Sequence, residues 1–159
     1  MKRRTRNFLV STSVIVVILV GALLYDSFYV IEEGHEGILL RFGEVITKDE
    51  SIPPGLHRKM PISDDVKQFK TDAQLYEFSQ AINGSQVLTV SVKWRVTNPY
   101  VFYVATAGDI ETAQLRLQAR IFRSFQESRQ IPLADLSETL ENHFGIVIVE
   151  LLSEVQDSS

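Results

Sequence analysis

The chain has 159 residues, a net charge of −4 and no cysteine. That length holds one compact domain or two small lobes, and the lack of thiols excludes a disulfide framework and cysteine chemistry. Four of the cations sit in the first six positions, so the remainder carries 12 basic against 20 acidic residues, net −8, which argues against a nucleic-acid surface.

Lys2, Arg3, Arg4 and Arg6 make a basic arm over residues 1–7. Phe8 to Tyr25 (FLVSTSVIVVILVGALLY) follows, eighteen residues without a charge. As a helix it would cover about 27 Å, close to the ~30 Å hydrocarbon core of a bilayer. A core helix rarely runs so far without a polar face. A cleaved signal peptide has a shorter apolar core, and no small-x-small site follows this run. Residues 8–25 therefore read as a transmembrane signal anchor. With cations before it and Asp26, Glu32, Glu33 and Glu36 after it, the positive-inside rule puts Met1 in the cytoplasm and residues 26–159 on the other side.

Beyond the anchor, Gly34 marks a break. Gly37 to Thr47 is rich in β-formers and reads as a strand, with Gly43 at a bulge or turn. Pro53-Pro54-Gly55 is a turn, because proline presets its φ and glycine accepts a positive one. Leu56 to Pro61 reads as extended, Ile62 to Asp65 as a loop, and Val66 to Lys70 as a short strand. Ala73 to Ile82 is a strand with Tyr76, Phe78 and Ile82 on one face, and Asn83-Gly84 is a hairpin signal. In Val87 to Thr97, Leu88, Val90, Val92, Trp94 and Val96 alternate with polar residues, which places one face in a core.

After Asn98-Pro99 the period changes. Asp109 is placed to cap a helix over Ile110 to Gln126. Ile110, Ala113, Leu117 and Ile121 form its inner stripe, widened by Leu115, Ala119 and Phe122, while Arg116, Gln118, Arg120 and Arg123 lie to the side or opposite. A second helix over Leu133 to His143 turns Leu133, Leu136 and Leu140 inward and ends at Gly145 in a left-handed cap. Ile146 to Leu152 suits a final strand, and Gln156 to Ser159 is a polar tail. The fold class is α+β: an antiparallel β lobe over residues 26–100, then an α/β lobe over 101–155.

Chemistry is sparse. His35, His57 and His143 show no metal-ligand spacing. No serine sits in a GxSxG elbow, and there is no GxGxxG or GxxxxGK[ST] phosphate loop. Asp64-Asp65 and Glu32-Glu33 read as solvated turns rather than paired catalytic acids. Around Trp94, Lys93 and Arg95 fit an outer face over a buried indole. The Arg116/Arg120/Arg123 stripe is a solvated face by default, with acidic lipid headgroups or an acidic neighbour as its alternative partners. No catalytic, cofactor-binding or metal residue is assigned.

Several motifs, in this order, resemble one family. They are VIEEGHEGILLRFG (Val30 to Gly43), PGLHRKMP (Pro54 to Pro61), KWRV (Lys93 to Val96), YVATAGDI (Tyr103 to Ile110), IPLADL (Ile131 to Leu136) and the Gly145-Ile146 strand. Behind a basic arm and an anchor, they resemble the stomatin–prohibitin–flotillin–HflK/C superfamily, also called SPFH or band 7, and within it the HflC branch. The resemblance implies a bacterial inner-membrane protein with a periplasmic SPFH domain. It would assemble with an HflK-like partner and membrane lipid into a hetero-oligomer that modulates an FtsH-like AAA protease, without catalysis of its own. Family members continue into a coiled-coil region. This sequence ends at Ser159 with no heptad segment, so it is expected to join an assembly of longer partners rather than close a cage alone. Two other readings are a stomatin-like membrane-domain organiser and a membrane-anchored hydrolase.

Overall fold

In the computed structural model the apolar run lies within α1 (Lys2–Asp26). The structure describes residues 2–48, 50–83, 86–128 and 131–157, with side chains throughout except for residues 2–11, Asn83 and Asp157. Val14 to Val20, Leu23 and Leu24 are all exposed. Among the described residues no helix is long and apolar enough to cross a membrane.

Two small antiparallel sheets follow. β1 (Phe28–Ile31) pairs with β4 (Gly55–Arg58), Phe28 opposite Arg58 and Ile31 opposite Gly55. β2 (His35–Arg41) lies between β3 (Glu44–Val45) and β5 (Asp64–Lys70). Two expectations change here. Gly37 to Thr47 is not one strand but a hairpin, with Gly43 (φ 86°) in its turn as expected and Phe42 (φ 51°) beside it, both left-handed. The Ile62–Asp65 loop is shorter than expected, since the ladder reaches Arg41↔Asp64 and draws Asp64 into β5. Asp64 is buried, so it is not the solvated turn residue the sequence indicated, while Asp65 is exposed.

The larger sheet has the order β6 (Gln74–Asn83), β7 (Gln86–Val96), β8 (Ile146–Asp157). Leu88, Val90, Val92, Trp94 and Val96 of β7 are all buried, which is what the strict alternation requires. Asn83 pairs with Gln86 at the hairpin; Gly84 of the expected turn lies outside the described residues. β8 is longer than the expected Ile146–Leu152, because β7 offers hydrogen-bonding partners out to Gln86↔Asp157; Gln156 is therefore strand, not tail.

Between β7 and β8 run α2 (Pro99–Thr106), α3 (Ile110–Ser128) and α4 (Leu133–Phe144). α2 is absent from the sequence reading. Asn98 caps it by accepting from the Val101 amide at 3.1 Å, and Pro99 occupies the first turn, where its missing N–H costs nothing. α2 bridges the β3–β2–β5 sheet and the β6–β7–β8 sheet. Phe102 meets Phe69 of β5 edge-on at 5.5 Å and stacks on Trp94 of β7 at 6.5 Å, in a single buried cluster that draws on the β3–β2–β5 sheet, the β6–β7–β8 sheet and the helices α2, α3 and α4.

α3 is capped by Asp109, which accepts from the Thr112 amide at 2.9 Å. Its buried stripe is Ala113, Leu117, Ile121 and Phe125. Ile110, Leu115 and Ala119, expected inside, are exposed, as is Leu133 of α4. At 100° per residue Leu115 and Ala119 fall on the far side of α3 from that stripe, while Ile110 and Leu133 stand in line with the buried residues but at the first position of their helices. Gly145 ends α4 at φ 63°, its amide bonded to the Glu141 carbonyl at 3.0 Å.

Candidate functional site

Two surfaces stand out. The first is an apolar tip beside the end of α1. Lys59 ties this end down, its amide donating to the Ser27 carbonyl at 2.9 Å and its Nζ reaching Asp26 at 3.1 Å. The turn that follows Lys59 meets the β2–β3 turn, since the Phe42 amide donates to the Ser63 carbonyl at 2.9 Å. Phe42 is 85% exposed and Ile62 89% exposed. Both have positive φ, 51° and 73°, a conformation that for a β-branched residue is a genuine outlier. Met60, Phe28 and Tyr25 are exposed around them. The tip is held by Asp64, which accepts from Arg41 Nε at 2.8 Å, Arg41 Nη2 at 3.0 Å, the Met60 amide at 2.9 Å and Ser63 Oγ at 3.0 Å. Those donors, Arg41 first and the Met60 amide next, hold the Asp64 carboxyl well below the usual carboxylate range.

The second surface is a cleft of about 510 Å³ beside α3 and the end of α4, lined by Arg116, Ala119, Arg120, Arg123 and Phe144. Spacings of four and three on α3 put the arginines on one side of the helix. Arg116 and Arg120 each hold their Cζ 5.7 Å from the centre of the Phe144 ring, so one aromatic face orients two guanidinium groups. Among the described residues, no carboxylate pairs with any of the three.

The other sequence candidates lie apart. His35 meets the Glu33 carbonyl, His57 the Pro53 carbonyl and His143 the Thr139 carbonyl, each through one ring nitrogen. Glu32 and Glu33 are exposed, as are Lys93 and Arg95, which flank a fully buried Trp94. The arginine stripe was visible in the sequence; Phe144 as its platform was not, because α3 and α4 meet only in the fold. The Arg41–Asp64 clamp and the tip it holds were missed as well. A phenylalanine before Gly43 and an isoleucine after Pro61, both in turns, were the available signal.

The family model described as "SPFH domain / Band 7 family" matches residues 29–158. "Modulator of FtsH protease HflC" from Escherichia coli (strain K12) is 29% identical over 154 residues, 91% of this chain and 46% of that protein. "Protein HflC" from Vibrio parahaemolyticus is 34% identical over 116 residues, 67% of this chain and 36% of that protein. "Protein HflC" from Buchnera aphidicola (Acyrthosiphon pisum) is 26% identical over 147 residues, 86% of this chain and 47% of that protein. The chain thus spans about half the length of the relatives it matches. With four helices and antiparallel sheets among the described residues and a family match over most of its length, the chain belongs to the SPFH domain / Band 7 family and is an HflC-like α+β SPFH protein.

Proposed function

We propose that this chain is a non-catalytic membrane scaffold, single-pass through residues 8–25, with its N-terminus cytoplasmic and its SPFH domain outside. In this reading it sits in a bacterial inner membrane, associates with an HflK-like partner, and modulates an FtsH-like protease. The observation that carries the reading is its likeness over 91% of its length to a protein named as a modulator of FtsH protease. The apolar tip supports the membrane half of it. Phe42, Met60 and Ile62 project where α1 enters the domain, and apolar side chains held outward at a strained backbone are stabilised when a lipid surface receives them.

Two measurements test it. Alkaline phosphatase fused after Ser159 is expected to be active and a Sec-exported green fluorescent protein there dark; the reverse pattern overturns the orientation. Affinity capture from native membranes is expected to recover HflK-like and FtsH-like proteins, and raised expression of the chain to change the half-life of a membrane substrate. An unchanged half-life with no FtsH-like protein captured would favour the membrane-domain organiser.

A further inference from the structure

Three arginines share one cleft although the domain around them is acidic. Beyond the first six positions acids outnumber bases 20 to 12. Arg41, Lys48, Lys59 and Lys67 each hold a carboxylate at 2.8 to 3.3 Å, whereas Arg116, Arg120 and Arg123 hold none among the described residues. The acids closest along the helices are poorly placed to help. Glu127 follows Arg123 by four, the weaker order for a helical ion pair, and Glu141 lies a turn before Phe144; both are exposed. Arg116 and Arg120 are a like-charge pair at a spacing of four, which costs a helix stability. Phe144 gathers both guanidinium groups at 5.7 Å from its ring centre instead of letting them part. Ala119 lines the cleft among them with only a methyl group, so the space stays open. Unmatched charge concentrated around an open volume is stabilised by an anion.

We propose that the Arg116/Arg120/Arg123 cleft binds the phosphate group of an organic phosphomonoester. The chemistry selects phosphate over carboxylate. Near neutral pH a phosphomonoester carries about two negative charges and three strong acceptor oxygens, where a carboxylate offers one charge and two oxygens. Planar guanidinium forks meet such oxygens in paired hydrogen bonds, whereas lysine supplies a point charge, and all three cations here are arginine. The organic part has a place as well. Ala119 and Arg123 also line an adjoining cleft of about 370 Å³, whose walls include the apolar Leu115 and Phe122 and the amides of Gln80 and Gln126. The acid excess elsewhere in the domain disfavours a long polyanion, so the ligand is a small soluble phosphomonoester or a single phosphomonoester headgroup of a lipid. Both present the same group to the arginines. The site does not depend on the scaffold reading.

Isothermal titration calorimetry of the full chain in non-ionic detergent tests this, with phenyl phosphate as the probe and phenylacetate as its carboxylate counterpart. One site per chain is expected, with phenyl phosphate bound about tenfold tighter than phenylacetate. Arg120→Gln should weaken phenyl phosphate about tenfold. Ala119→Glu, which supplies a carboxylate inside the cleft, should abolish binding. Arg95→Gln, on the exposed outer face of β7, should leave it unchanged. Arg120→Gln removes a like-charge neighbour and is expected to keep or raise the urea midpoint without ligand, which separates lost binding from lost fold. A second arm distinguishes the sources. In nanodiscs containing phosphatidic acid, phenyl phosphate binding is competed away if a headgroup is the ligand, and matches that in phosphatidylcholine discs if the ligand is soluble. No saturable binding of phenyl phosphate would overturn the proposal. So would equal affinity for phenylacetate, or binding indifferent to both Arg120→Gln and Ala119→Glu.

Discussion

Arg41 and Asp64 close the outer end of the β2–β5 ladder, two parallel hydrogen bonds of 2.8 and 3.0 Å joining a half-exposed guanidinium to a carboxylate that is almost fully covered. The bidentate geometry and the added Met60 and Ser63 donors favour the ionised carboxylate, so its folded-state pKa is lowered. The stabilisation is complete above the unfolded pKa near ~4 and fades as pH falls from there toward the folded value. Asp64→Asn should therefore lower the urea midpoint at neutral pH, and the gap from the parent protein should narrow at about pH 2.5. Asp65→Asn, at the exposed next position of β5, should have the smaller effect. Equal losses at both positions would remove the clamp from the account.

Ile62 holds φ at 73° with its side chain in solvent. Glycine there relieves a left-handed conformation that costs an L-residue ~1–2 kcal/mol, offset in part by a freer unfolded chain. Ile62→Gly is expected to gain about 1 kcal/mol in the detergent-extracted protein, measured by urea titration. A loss instead would mean that the isoleucine is packed rather than presented.

Trp94 is 0% exposed and Lys93 beside it is exposed. Trp94→Ala should cost ~3–5 kcal/mol and Lys93→Ala less than ~0.5 kcal/mol. The indole Nε1 has no hydrogen-bond partner among the described residues. Trp94→Phe therefore removes an unsatisfied donor along with volume, and should cost well under half as much as the alanine change. Similar losses for Trp94→Ala and Lys93→Ala would refute the register of β7.

Gly145 and Gly43 both have positive φ, but their surroundings differ. A Cβ at Gly145 would run into the Asn98 carbonyl oxygen and lie 2.9 Å from the Phe102 amide, whereas at Gly43 it would meet nothing within 4 Å. Gly43→Ala should cost about 1 kcal/mol from conformation alone, and Gly145→Ala more than ~2 kcal/mol because backbone must move as well. Thermal unfolding of the two variants compares them directly.

What could be read without the fold was periodic. The alternation in β7 and the spacing of Ala113, Leu117 and Ile121 each carry a face on their own. What was lost depends on partners distant in sequence. Asp64 reads as a turn residue until Arg41 lies across from it, and Leu115 reads as core until the side of α3 that is buried is known. α2 was lost for another reason: its eight residues are too few for a helical period to declare itself, although Asn98-Pro99 is a start signal as well as a strand stop. The arginine cleft was half legible, its cations in one helix and its aromatic floor in the next.

β7 is the central strand of its sheet, yet one of its two neighbours is the last element of the domain: Val96 pairs with Ile146 and Gln86 with Asp157. Synthesis runs from the N-terminus, so β7 and β6 are complete while β8 has still to leave the ribosome. Through that interval a long strand with five buried-type apolar side chains presents an open edge, the state most prone to pair with a wrong chain. Closing it requires contacts 50 to 71 positions apart, which makes docking of β8 a late and slow event. The nascent chain therefore depends on something to shield that edge, and stalling it anywhere between α2 and β8 would yield an aggregating fragment rather than a smaller folded one.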